Sequence, residues 1–118
     1  MAFKATWAEP FDVATELTAS DSAAWDQFGT SVAISGNTAI VGAPGNDDGG
    51  IQSGSAYLFD VTTGNQLFKL TASDAAESDV FGQSVAISGN VAIVGAPADD
   101  DGGEGSGSAY LFDVATGN

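Results

Sequence analysis

The chain has 118 residues, sixteen acids against two lysines (Lys4 and Lys69), and neither histidine nor cysteine. That length builds one small domain with a core of its own. A formal charge of −14 repels phosphate backbones and anionic lipid, which argues against nucleic acid and membrane surfaces as partners.

Without histidine the chain lacks the commonest general base and the commonest zinc ligand. Its apolar residues fall in patterned runs, unlike those of a disordered acidic chain. No apolar run approaches the roughly 18 residues of a membrane span. "MAFKATWAEP" has no signal-peptide core, so the expectation is a cytoplasmic chain or one that starts after a leader.

In chain order, residues 1–20 form an N-terminal segment, 21–72 a first unit and 73–118 a second. Phe28 to Asn65 can be laid on Phe81 to Asn118 at an offset of 53, with seven of the 38 positions differing. Leu17-Thr-Ala-Ser-Asp21 likewise equals Leu70-Thr-Ala-Ser-Asp74. Near-identity of this kind points to recent duplication or to construction from a consensus. Val13 to Ala19 aligns with Gln66 to Ala72 and is expected to supply an outer closure strand. Phe3-Lys4-Ala5-Thr6 also echoes Phe68-Lys69-Leu70-Thr71.

Each unit reads as short strands. Phe81 to Ser88 alternates and ends at Gly89-Asn90, a two-residue hairpin turn. Val91 to Gly95 is β-branched and apolar, as in a strand buried on both faces, and Pro97 ends it. Ser108 to Asp113 is the third strand, and in the first unit Gln66 to Ala72 is the fourth. No stretch holds a helical period. Four-stranded antiparallel units repeating at about 50 residues describe β-propeller blades, an all-β architecture.

"FGxSVAISGN", "AIVGAP" and "GSAYLFD" carry a resemblance to the FG-GAP repeat, the blade of integrin α-subunit propellers and of many bacterial extracellular proteins. Phe28-Gly29 and Gly42-Ala43-Pro44 recur as Phe81-Gly82 and Gly95-Ala96-Pro97. The resemblance implies that both phenylalanines plug the gap between adjacent blades and that the glycines admit close backbone approach. It implies an extracellular or cell-surface setting, which the chain itself leaves unknown.

The same resemblance implies Asp-x-Asp-x-Asp-Gly calcium loops between first and second strands. Here Ser35-Gly36-Asn37 and Ser88-Gly89-Asn90 stand there, so those ligands do not carry over. Acids lie one loop later, where Asp99, Asp101 and Glu104, with Asp47 in the first unit, are the candidate calcium ligands. A solvated turn is the competing reading and the favoured one, leaving no cofactor as the expectation. Asp21 and Asp26, with Asp74 and Asp79, read as turn formers bonding their own backbone. Trp7 and Trp25 have no counterpart and read as core or as packing at a junction. No nucleophile, base or phosphate-loop motif points to an enzyme.

Propellers close with four to eight blades, and two blades leave apolar faces wet. The expected partner is the chain itself, as a homotrimer or homotetramer of six or eight blades. The reading is a structural or binding scaffold, with a calcium-dependent extracellular adhesion module as the alternative.

Overall fold

A computed structural model describes residues 15–100 and 102–118. The first sheet runs β1 (Ser31–Ser35), β2 (Thr38–Ala43), β3 (Ser55–Asp60) and β4 (Gln66–Leu70), antiparallel and in chain order. The second runs β5 (Ser84–Ser88), β6 (Val91–Ala96) and β7 (Ser108–Asp113). The two all-β sheets are propeller blades. The two-residue turns Gly36-Asn37 and Gly89-Asn90 carry positive φ at glycine, +57° and +55°, which only such residues adopt without strain.

The first strands begin three residues later than the alternation suggests. Phe81 makes an isolated parallel bridge to Gly54 instead of joining β5, and Gly82 turns at φ +97°. The chain breaks there because it crosses to the neighbouring blade. Phe81 N–H donates to Ser53 O at 2.9 Å, Val80 N–H to Gln52 O at 3.0 Å and Ser78 N–H to Ile51 O at 2.7 Å. The fourth strand also stops early, at Leu70.

Between the blades lies the main core. Ile40, Ala56, Leu58 and Leu70 of the first pack on Phe81, Ala92, Val94 and Ala96 of the second. Phe81 meets Tyr110 and Phe112 edge-to-face at 5.4 and 5.9 Å, a geometry that adds to area burial. Phe28 repeats this with Tyr57 and Phe59, at 5.6 and 5.9 Å, on the far side of the first blade. Backbone approach at the junction is close. A Cβ on Gly42 would lie 2.0 Å from Gly82 O, and one on Gly82 2.3 Å from Ser55 O. Gly29, the counterpart of Gly82, meets nothing within 4 Å.

The pair β1 and β5 share the sequence SVAIS but bury opposite faces. In β1, Ser31, Ala33 and Ser35 are half-buried while Val32 and Ile34 are 67% and 61% exposed. In β5, Val85 and Ile87 are half-buried while Ser84, Ala86 and Ser88 are exposed. β6 is likewise buried on one face only, at Ala92, Val94 and Ala96, against the two-faced burial that its composition suggests. Each sheet is apolar on both sides; the chain covers one side of the second, and on the far side of the first it buries Val41, Ala43, Tyr57 and Phe59 with Ala19, Leu17 and Phe28 while leaving β1 exposed.

The Gly42→Ala variant is expected to lose about 1–3 kcal/mol of unfolding free energy, because its methyl has to displace backbone of the other blade. An unchanged denaturation midpoint would show that the sheets do not approach this closely.

Candidate functional site

Two features stand out: the apolar surface left exposed on β1 and on the outer face of the second blade, and a polar cluster at the rim of each blade. In the first blade that cluster centres on Asn46, buried in the loop after β2. Its Oδ1 accepts from Asp48 N–H and from Ser55 Oγ, both at 3.0 Å. Its Nδ2 donates to Asp26 Oδ2 at 3.3 Å and reaches Tyr57 Oη at 3.4 Å. Asp26 also accepts from Ala23 N–H at 3.1 Å, the turn-forming role expected of it. Asp79 does the same with Ala76 N–H at 3.0 Å.

Asp21 and Asp74 differ from that expectation, since their carboxylates reach across the blade. Tyr57 Oη donates to Asp21 at 2.9 Å and Tyr110 Oη to Asp74 at 2.7 Å. Lys69, on β4, bonds both Asp21 and Asp48 and stands 5.6 Å from the Tyr57 ring centroid. Lys69 lowers the pKa of Asp21 against the opposing effect of burial. Burial and the Asp21 bond push Tyr57 up to about 12. Burial works against the charge of Lys69, but its bonds to Asp21 and Asp48 outweigh that and raise its pKa. These pairs sit at the rim and are worth at most about 1 kcal/mol each. These tyrosine and lysine partners escape sequence reading because 36 residues separate Asp21 from Tyr57; the only trace is that both recur at the repeat offset.

In the second blade Asp99 replaces Asn46. It is buried; it accepts from Ser108 Oγ at 3.0 Å and lies 3.0 Å from Tyr110 Oη, whose one proton it shares with Asp74. An acid therefore stands where the first blade has an amide. Asp79 feels this: burial raises its pKa first, with the Asp99 charge adding to it. Tyr110 is raised too, by burial and then by its bonds to Asp74 and Asp99.

Of the calcium candidates, Asp99 is a buried organiser of its own loop. Asp47 is exposed and accepts from Gln52 N–H at 2.8 Å. Glu104 is exposed, and Asp101 lies outside the described residues. Among the described residues no group of three or more acids is placed to hold a metal, and no buried side-chain nitrogen or oxygen lacks a hydrogen-bond partner. Trp25 is 86% exposed and so is not core of the single chain; the other expectation for it is packing at a junction between chains. Its N–H sits where Ser78 N–H sits in the second unit, at the crossing between blades. Trp7 lies outside the described residues, as do Met1 to Asp12.

The strand order, the paired glycines and the edge-to-face phenylalanines all recur in both blades. A profile of the FG-GAP repeat matches residues 11–59 and 65–112. The chain belongs to the FG-GAP repeat family. Among solved structures, this FG-GAP chain is similar to the computationally designed Ika4 protein, at 17% identity and a TM-score of 0.56, over 90% of this chain and 52% of that one. It is also similar to the computationally designed Ika8 protein, at 19% identity and a TM-score of 0.50, over 75% of this chain and 21% of that one. At such identities the likeness concerns the fold alone. The FG-GAP chain thus spans about half the length of Ika4 and less of Ika8. No curated protein sequence is matched.

Two expectations concern the clusters. Asp99→Asn restores the first blade's amide beside Asp79, so it is expected to stabilise the protein near neutral pH by on the order of 1 kcal/mol. Because the folded pKa of Asp79 is raised, its carboxylate is a burden only above that pKa. The gain therefore disappears as pH falls through it, and chemical denaturation at neutral and acid pH checks the sign. Separately, melting temperature is expected to be the same in excess chelator and in millimolar calcium. A bound ion at a hundred times its dissociation constant would add about 2.7 kcal/mol, and a rise of several degrees would contradict the solvated-turn reading.

Proposed function

We propose that this chain is a non-enzymatic scaffold module that closes into a propeller ring with copies of itself. One observation carries the reading: the apolar surface it leaves exposed, β1 on the first blade and the outer face of the second, repeats the two halves of its internal junction. On the first blade Val32 and Ile34 are exposed beside Val41 and Tyr57, which are already buried with Ala19, Phe28 and Phe59; together they are the counterparts of Val85, Ile87, Val94 and Tyr110, which pack on the first blade. The uncovered face of the second blade, with Ala86, Ile93, Ala109 and Leu111, is the counterpart of Ala33, Ile40, Ala56 and Leu58, which receive them. Leu111 is 70% exposed where Leu58 is wholly buried.

Hydrogen-bonding groups repeat in the same way. Ser31 Oγ donates to Gly82 O at 2.9 Å across the junction; Ser84 Oγ and Gly29 O are the matching donor and acceptor. Trp25, Gln27 and Phe28 N–H groups match those of Ser78, Val80 and Phe81, and Glu104, Gly105 and Ser106 carbonyls match their acceptors. A face that fits the opposite face of an identical chain makes a heterologous contact, which yields a ring when the rotation closes. Six or eight blades need three or four copies of an 11.7 kDa chain, hence about 35 or 47 kDa.

Repeat units of this family are typically non-catalytic. The described cluster residues satisfy one another's hydrogen bonds, which supports a scaffold role over chemistry. The rim loops and the outer surface of the ring are then the display surface.

Light scattering on the intact chain is expected to give about 35 or 47 kDa. The Gly95→Ala variant separates assembly from folding. Within one chain its methyl meets only Ser84 Oγ, at 2.5 Å, a side chain that can rotate. Across the joint it would meet the carbonyl of Gly29, as Gly42 meets that of Gly82. The variant should keep its circular dichroism and lose its mass. A well-behaved monomer near 12 kDa for the unaltered chain would overturn the reading.

A further inference from the structure

The segment that crosses between blades occurs twice with the same backbone, once inside the chain and once at its surface. Inside, Ser78 to Phe81 lies on the loop from Gly49 to Gly54, where a Cβ on Gly49 would lie 2.8 Å from Ala75 Cβ and one on Gly50 3.3 Å from Glu77 N. Ser78 and Val80 hold φ of +68° and +52° there, and Gln52 +56°. At the repeat offset Trp25 and Gln27 hold +70° and +61°, and Gly105 +66°. The loops share their internal bonds as well. Gln52 N–H donates to Asp47 Oδ1 at 2.8 Å and Gly50 N–H to Asp47 O at 3.0 Å. Gly105 N–H donates to Asp100 Oδ1 at 2.7 Å and Gly103 N–H to Asp100 O at 3.0 Å. Ser53 is buried beneath the inner crossing, whereas Ser106, its counterpart, is exposed.

Trp25 is held in this shape from within its own blade. Gly45 N–H donates to Asp26 O at 3.0 Å, Asp26 N–H to Ala23 O at 3.3 Å, and a Cβ on Gly45 would lie 2.1 Å from Trp25 O. Both halves of a second junction are therefore folded in advance, which lowers the ordering cost of contact. Their side chains differ from the inner pair in a matched way. Inside, Ser78 donates to Ile51 and Val80 to Gln52, so a small residue meets larger ones. At the surface Trp25 stands for Ser78, while Glu104 and Gly105 stand for Ile51 and Gln52. The largest side chain of the crossing thus corresponds to a loop with no side chain at 105. A large aromatic at 86% exposure, on a backbone fixed by its own turn, has the character of a binding anchor.

We propose that Trp25 anchors the joint between copies and that its seat is the loop from Gly103 to Ser106 of a second copy of this chain. The inference rests on the self-assembly reading above and names the side chains that carry its contact. The occupant is a second copy because the inner crossing already shows this backbone lying on this loop. Size is exchanged between the two sides: serine meets glutamine within a chain, and tryptophan meets glycine between chains. A glutamine at 105 would occupy the space that the indole enters, whereas opposite a serine at 25 it would only repeat the inner pair.

The test is a double-mutant cycle read by sedimentation over a range of concentration, with the unaltered chain, Trp25→Ser, Gly105→Gln and the two changes together. Circular dichroism is expected to be the same in all four, since Trp25 is exposed and Gln52 shows glutamine accepted at φ +56°. Each single variant is expected to need a concentration higher by about tenfold or more to assemble. The double variant is expected to assemble no worse than Trp25→Ser alone. Either single variant assembling as the unaltered chain does, or Gly105→Gln costing as much beside serine as beside tryptophan, overturns the anchor. So does a loss of circular dichroism in Trp25→Ser, which would place the indole in the fold of the single chain. These results leave self-assembly of the unaltered chain standing, whereas absence of assembly in all four proteins overturns both readings.

Discussion

Face-to-face stacking of twisted sheets, close enough for backbone to touch backbone, is the interaction on which the rest of this structure depends. The carbonyl of Gly82 fills the space a side chain at Gly42 would occupy, and Phe81 leaves its own blade to bridge Gly54. An ordinary antiparallel sheet keeps one side for water. A blade has no such side, because neighbours press on both. Every strand therefore carries apolar residues at consecutive positions, and a single blade cannot satisfy its own surface. The pairing of two blades buries one face of each; the far face of the first is covered in part by the segment that carries Ala19 and Phe28, and that of the second is exposed.

Much of this was legible in the chain itself. The offset of 53 residues, the Gly-Asn turns and the β-branched runs led to the sheets and to their order. The reach of Phe81 was not legible, because a residue ahead of an alternating run looks like part of it; crossing to another blade is decided by packing, not by local preference. The rim cluster was legible only in part. Asp26 and Asp79 bond the turns they sit in, which is a local event. Asp21 and Tyr57 meet through tertiary placement, and nothing in their separation announces it. Trp25 shows the same limit from the other side: a large aromatic implies burial, yet the chain leaves it 86% exposed.

The seven differences between the units are not neutral. Where the first blade joins Asp26 to the amide of Asn46, the second sets Asp79 beside the carboxylate of Asp99, and burial makes that pair costly. Lys69 is the one described cation, and it sits in the rim cluster of the first blade. Among the described residues the two rim clusters thus differ in make-up, with an acid in the second where the first has an amide. A nearly perfect repeat can in this way hold two unlike sites, and the unlike site lies where identical chains would meet.

The most direct test of the central claim is amide hydrogen exchange at Trp25, Gln27 and Phe28, read against Ser78, Val80 and Phe81 in the same sample. The latter three donate across the internal junction. If the outer faces meet as the inner ones do, the former three donate across the joint, and the two sets should show similar protection under conditions where the assembly is complete. Fast exchange at Trp25, Gln27 and Phe28 in a particle of six or eight blades would contradict the account, because the chains would then be held by some contact other than a repeat of their own junction.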